Sequence, residues 1–170
     1  MKLQALYAVV YMSAMASQDS ADGPTSEHLE PLKFLIGTWT GQGKLDGGEA
    51  YTDEYRFEWM QNRQFIRVEY ALKVGDAVRW SSTSIIGYDP EKKKLVGFVF
   101  ERNGALARSE CVKSDKSTWV FEDRAAGPAG VQEGRVTHTK VDADTFSVTV
   151  EVKKDGKLTP VGSYHFKRKK

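Results

Sequence analysis

The chain has 170 residues, 25 lysines and arginines against 23 aspartates and glutamates, and a single cysteine, Cys111. A charge this balanced leaves no general basic face for nucleic acid, and one thiol excludes an intramolecular disulfide. A single domain of this size buries about 68–70% of its unfolded chain's surface, enough for a core without staples.

At the start, Lys2, the apolar run Leu3 to Met15 and the small-residue site Ala14-Met15-Ala16 have the pattern of a secretory signal peptide, cut after Ala16. The run is shorter than the about 20 apolar residues that cross a bilayer as a helix, so no integral span is expected in the mature protein. The expectation is an exported protein, periplasmic or secreted. Residues 17–26 are small and polar and read as a flexible leader, and residues 27–170 as the domain. Ser26 is a candidate N-cap for a short helical segment burying Leu29, Leu32, Phe34 and Leu35, with Glu27 and Glu30 in its first turn and Pro31 limiting its regularity.

Strands begin at Gly37-Thr38-Trp39-Thr40-Gly41-Gln42-Gly43, where glycines permit tight curvature and Trp39 supplies a plug. The period is then two. Tyr51, Asp53, Tyr55, Phe57 and Trp59 share one face, Ile66, Val68, Tyr70 and Leu72 the next, and Val78, Trp80, Ser82, Ser84, Ile86 and Tyr88 the third. Turns are marked by Gly75-Asp76, Asp89-Pro90, Asn103-Gly104, Ser114-Asp115 and Asp155-Gly156. Further strands are predicted over 95–101, 105–112, 118–122, 131–141, 146–153 and 159–167, with a loop at 125–130 as the one break in the rhythm. About ten strands joined by hairpins predict an all-β fold, a single antiparallel up-and-down barrel whose closure removes exposed edges.

The segments Phe34-Leu35-Ile36-Gly37-Thr38-Trp39-Thr40-Gly41, Gly87-Tyr88-Asp89 and Asn103-Gly104 resemble a family of exported bacterial proteins of unknown function with lipocalin-like barrels. Gly37-x-Trp39-x-Gly41 also resembles the start of nitrobindin-type haem barrels, within the wider calycin group. The resemblance spans about Leu29 to Arg168 and implies a barrel with a cavity. The nitrobindin likeness further implies a haem held by a last-strand histidine. His165 is the candidate here, but Tyr164 and Phe166 read as the inward pair, which turns His165 to water and leaves no cofactor as the expectation.

The expected work is non-covalent binding of a small apolar or amphipathic molecule. Trp39, Tyr55, Trp59, Tyr70, Trp80, Ser82, Ser84, Tyr88, Arg135 and Tyr164 are the candidate ligand-binding residues, aromatic bodies with a few polar handles. Catalysis is the alternative. Arg108 and Glu110 lie on one face of their strand with Leu106 and Val112, and if that face is inward they make a general acid and base or an internal ion pair, joined by Asp53, Tyr55 and Arg135. No Ser-His-Asp order, nucleophile elbow, phosphate loop or CxxC is present. No two histidines have metal-ligand spacing, so no metal site is expected, and His138, in phase with Val136, carries no signal of its own.

Overall fold

A computed structural model describes residues 26–45 and 47–170. The expected signal peptide, and the leader up to Thr25, lie outside the described residues. Ten strands follow one 3-10 helix, Glu30–Leu35: β1 Gly37–Lys44, β2 Ala50–Met60, β3 Phe65–Val74, β4 Ala77–Asp89, β5 Lys94–Glu101, β6 Leu106–Ser114, β7 Thr118–Gly127, β8 Gly130–Lys140, β9 Thr145–Lys154 and β10 Lys157–Arg168. Each strand pairs antiparallel with the next, and β1 closes on β10, so the sheet is a closed barrel without a free edge.

Turn chemistry sets this meander. Asp155 and Gly156 both have positive φ (49° and 78°), the pair a primed two-residue hairpin needs between β9 and β10. The loop expected at 125–130 is mostly strand: β7 runs on to Gly127, and β8 starts at Gly130, whose φ of 94° suits glycine. Pro128 and Ala129 alone make the turn. Small residues had looked like a break, but Ala125 pairs with both Ala107 and Gln132 in continuous ladders.

The chain direction gives the barrel two unlike ends. The starts of β1, β3, β5, β7 and β9 lie at one end, beside the 3-10 helix that packs over it. Leu29, Leu32 and Leu35 of that segment are buried, as are Trp39, Trp119, Phe146 and Phe166 beneath it. Trp39 meets Phe146 edge-on at 4.9 Å, Phe146 stacks on Phe166 at 5.0 Å, and Phe34 stacks on Trp119 at 5.3 Å. Such pairs contribute about 0.5–1.5 kcal/mol each beyond the area they bury. The N-cap differs from expectation. Leu29 is the cap and has no side-chain bond, while the Ser26 carbonyl accepts the Leu29 and Glu30 amides at 2.8 and 3.2 Å, because Pro31 admits only a short 3-10 piece.

Arg168 locks this end. Its Nη1 donates to the Ile36 carbonyl at 2.8 Å, Nη2 to the Phe34 carbonyl at 2.6 Å and Nε to Asp144 Oδ1 at 3.1 Å, while its guanidinium lies 4.1 Å from the Trp39 ring centroid. Trp39 Nε1 in turn donates to the Leu35 carbonyl at 2.6 Å. One planar, five-donor side chain therefore joins β10, the 3-10 segment and β1. In the sequence Arg168 stands within the basic run Lys167-Arg168-Lys169-Lys170, which taken alone reads as a solvated tail.

Candidate ligand-binding cavity

Strand parity decides which side chains meet inside. On β6 the small residues Ala107, Ser109 and Cys111 are buried, and Leu106, Arg108 and Val112 are exposed. The expected internal Arg108 and Glu110 pair is therefore outside. Glu110 accepts Lys92 at 2.6 Å and Lys94 at 3.1 Å, which hold its carboxyl down at about 2. The physical reason is room: a closed interior takes small side chains where facing walls carry aromatic rings, and long charged ones extend outward. Arg135 is also outside, bonded to Glu122 at 2.8 Å. An open hollow of about 750 Å³ runs across this outer wall and also reaches Asp123, but its glutamates Glu110, Glu122 and Glu133 already have partners, Glu133 being taken by Lys153 at 2.8 Å. Paired charges at the surface are a solvated face rather than a site.

The interior holds a smaller cavity, about 150 Å³. Its apolar lining comes from Phe57, Val68, Ile86, Val99, Phe121 and Val136, and its polar lining from Tyr55, Ser82, Ser84, Ser109, Asp123 and His138, with Gly97 between β4 and β6. An apolar cavity near this size admits benzene, so the occupant it fits is a single ring rather than a lipid chain or a porphyrin. The ring ladder Ser109, Asp123 and Gly134 crosses β6, β7 and β8 at one level, and His138 lies four residues deeper along β8, opposite Trp119.

Four enclosed side-chain polar atoms among the described residues have no hydrogen-bond partner: Trp119 Nε1 at the closed end, Arg135 Nε on the outer wall, and two at the cavity. The two at the cavity are Asp123 Oδ1 and His138 Nδ1. Burial raises the Asp123 carboxyl to about 6, against a lowering by Ser109 and with a further rise from nearby Glu101. Burial alone lowers the His138 imidazole to about 4, so it is neutral at physiological pH. Beside the cavity Asp53, 2% exposed, accepts the Tyr70 hydroxyl at 3.1 Å; burial lifts it to about 6 while that bond pulls it down. Desolvation first, then the two aspartates and Tyr164, raise the Tyr55 phenol, so it stays a neutral donor.

Of the residues expected at the ligand, Tyr55, Ser82 and Ser84 line the cavity, and Tyr70 and Tyr164 pack beside its wall. Trp39, Trp59 and Tyr88 belong instead to the packing at the closed end, where Tyr88 stacks on His28 at 3.5 Å. Trp80 is 38% exposed, near the start of β4 at the other end, and contributes no cavity wall. His165 is exposed on the outer face of β10, opposite Ser147, while Tyr164 and Phe166 point in. The inward histidine is His138. Asp123 went unnoticed because its strand was expected to stop at Glu122, although Trp119, Phe121 and Asp123 are spaced by two.

Among the described residues no group of three or more histidine, cysteine, aspartate or glutamate side chains converges as a metal site, and no helix is long and apolar enough to cross a membrane. Cys111 is buried, its thiol donating to the Lys113 carbonyl at 3.2 Å. The fold is thus a closed ten-strand antiparallel barrel, consistent with a lipocalin- or calycin-like architecture. Compared with protein-family models and with curated proteins, the chain matches none.

Proposed function

We propose that this protein is an exported carrier or receptor for a small apolar or amphipathic molecule, held without covalent bonds inside the barrel. The observation that carries this reading is the interior cavity of about 150 Å³, walled by aromatic, aliphatic and hydroxyl side chains, at which two enclosed polar atoms, Asp123 Oδ1 and His138 Nδ1, have no partner. Leaving a buried polar atom unsatisfied costs about 1–3 kcal/mol, which a binding site recovers when its ligand supplies the missing partner. Export is supported by the Met1 to Ala16 pattern alone.

Native mass spectrometry of the chain produced in a bacterial periplasm, and then incubated with one-ring amines, alcohols and hydrocarbons, tests both parts. The expected species starts at Ser17 and carries an adduct that leaves on denaturation. Gly97→Val fills the cavity from its wall, where its Cβ meets Ser109 Cβ at 3.4 Å, an ordinary contact; the variant, checked for wild-type circular dichroism, should lose the adduct. Equal adducts in wild type and Gly97→Val, or none in either, would remove the interior as the binding site.

A further inference from the structure

The wall of the cavity contains one carboxylate, from Asp123, and neither lysine nor arginine. An anionic ligand would meet a carboxylate with no cation to offset it. A purely apolar ligand would seal Asp123 Oδ1 and His138 Nδ1 away from any partner, and each unsatisfied atom weakens binding. At Asp123 an ammonium group answers both objections, because it donates up to three hydrogen bonds and carries the charge the site lacks. The rest of the wall fits such a guest: Tyr55, Phe57 and Phe121 present ring surfaces that attract a cation.

Resting on the reading of the interior as a binding site, we infer that its ligand is a small primary amine of one-ring size, its ammonium hydrogen-bonded to Asp123 and its hydrocarbon body against Phe57, Val68 and Phe121.

Other carboxylates compete poorly for that ammonium. Glu110, Glu122 and Glu133 on the outer wall are already bonded to Lys92 and Lys94, Arg135 and Lys153. Asp53 is engaged by Tyr70 and does not reach the cavity wall. Asp123 also holds a proton more tightly than an exposed carboxylate, so proton and amine compete for it. The groups around it are Ser109 on β6, Glu101 on β5 and Tyr55 on β2, with Gly134 as its β8 partner and His138 four residues deeper on that strand. None of them supplies a positive charge at neutral pH, since burial keeps His138 neutral.

The test uses three probes of one shape on the folded barrel: benzylamine, benzyl alcohol and benzoate, each titrated while amide shifts of Ser109, Asp123 and Val136 are followed by NMR. Benzylamine is expected to bind about 10- to 100-fold more tightly than benzyl alcohol, the ratio a charge-assisted hydrogen bond gives over a neutral one, with benzoate weakest. Asp123→Asn should erase the preference and leave the alcohol's affinity intact. In case that variant does not fold, the wild type supplies the second arm: amine affinity falls tenfold per pH unit below about pH 6, where Asp123 takes up its proton, and alcohol affinity does not. Benzyl alcohol binding as well as benzylamine at neutral pH would overturn the amine while keeping an interior site. Binding of none of the three, with no shift at these amides, would overturn the interior site itself.

Discussion

Asp123 and His138 share a cavity but respond to pH in opposite senses. An aspartate has an unfolded value near 3.8 and Asp123 a folded one of about 6, so between those pH values the native state binds more protons and stability falls as pH rises. Asp53 behaves alike. His138, with a folded value of about 4 against 6.5 unfolded, does the reverse: the unfolded chain binds the proton, and stability rises from about pH 4 to 6.5. The slope of the native protein over this range is therefore the sum of two falling contributions and one rising one. Asp123→Asn should turn the slope of unfolding free energy between pH 4.5 and 6 upward by about 0.5–1 kcal/mol per pH unit, less than the ideal 1.4 because this carboxyl is only partly shielded from solvent. His138→Phe should turn it downward. Urea midpoints at three pH values, at constant m, measure both. Parallel wild-type and Asp123→Asn profiles would mean that Asp123 titrates like an exposed carboxylate.

At the scale of elements, the closed end depends on Arg168, which lies in β10 and grips the carbonyls of Phe34 and Ile36. A hydrogen bond to a charged group contributes about 1.5–3 kcal/mol and a cation over tryptophan about 0.5–2 kcal/mol. With the side chain 27% exposed and its bonds shared, Arg168→Ala should cost about 2–3 kcal/mol in denaturant unfolding. Arg168→Lys should recover less than half, since an ammonium cannot bond two carbonyls and lie flat on Trp39 together. Full recovery by lysine would reduce the residue to a charge. Arg168 also marks the limit of what the sequence made legible. Alternation and turn residues disclosed the strands, the hairpins and their closure, and even turned His165 outward. Among lysines, though, an arginine in phase with Phe166 looked solvated. On β6, hydrophobicity pointed to the wrong face, because Leu106 and Val112 are about half exposed while Ala107 and Ser109 turn in. Only neighbouring strands decide such cases: Ser109 stands between Gly97 and Asp123, and no local pattern records that pairing.

Across the whole molecule, nine ladders join sequence neighbours and one joins the first strand to the last. That closing ladder is short. Trp39 registers with Arg168 and Thr40 with Lys167, and the Lys169 amide donates to the Thr38 carbonyl at 2.8 Å, whereas β7 and β8 register over ten pairs. Beyond Thr40 the strands stay close, for a Cβ on Gly41 would lie 2.9 Å from the His165 carbonyl, but β10 bulges between Pro160 and Gly162 and the ladder ends. The rings of Tyr51 and Tyr164 lie against Gly43 and Gly162 there, so the upper seam is packed by side chains instead of backbone bonds. Local opening follows the bonds that must break, so amides of residues 41–43 and 161–164 not bonded to β2 or β9 should exchange with little protection. Those of β7 and β8 should exchange only on global unfolding, and the Lys169 amide at the locked end should fall between. Native-state hydrogen exchange read by NMR ranks the three groups. Seam amides as slow as those of β7 and β8 would mean that β1 and β10 are bonded along their full length, and that the barrel opens, when it opens, somewhere else.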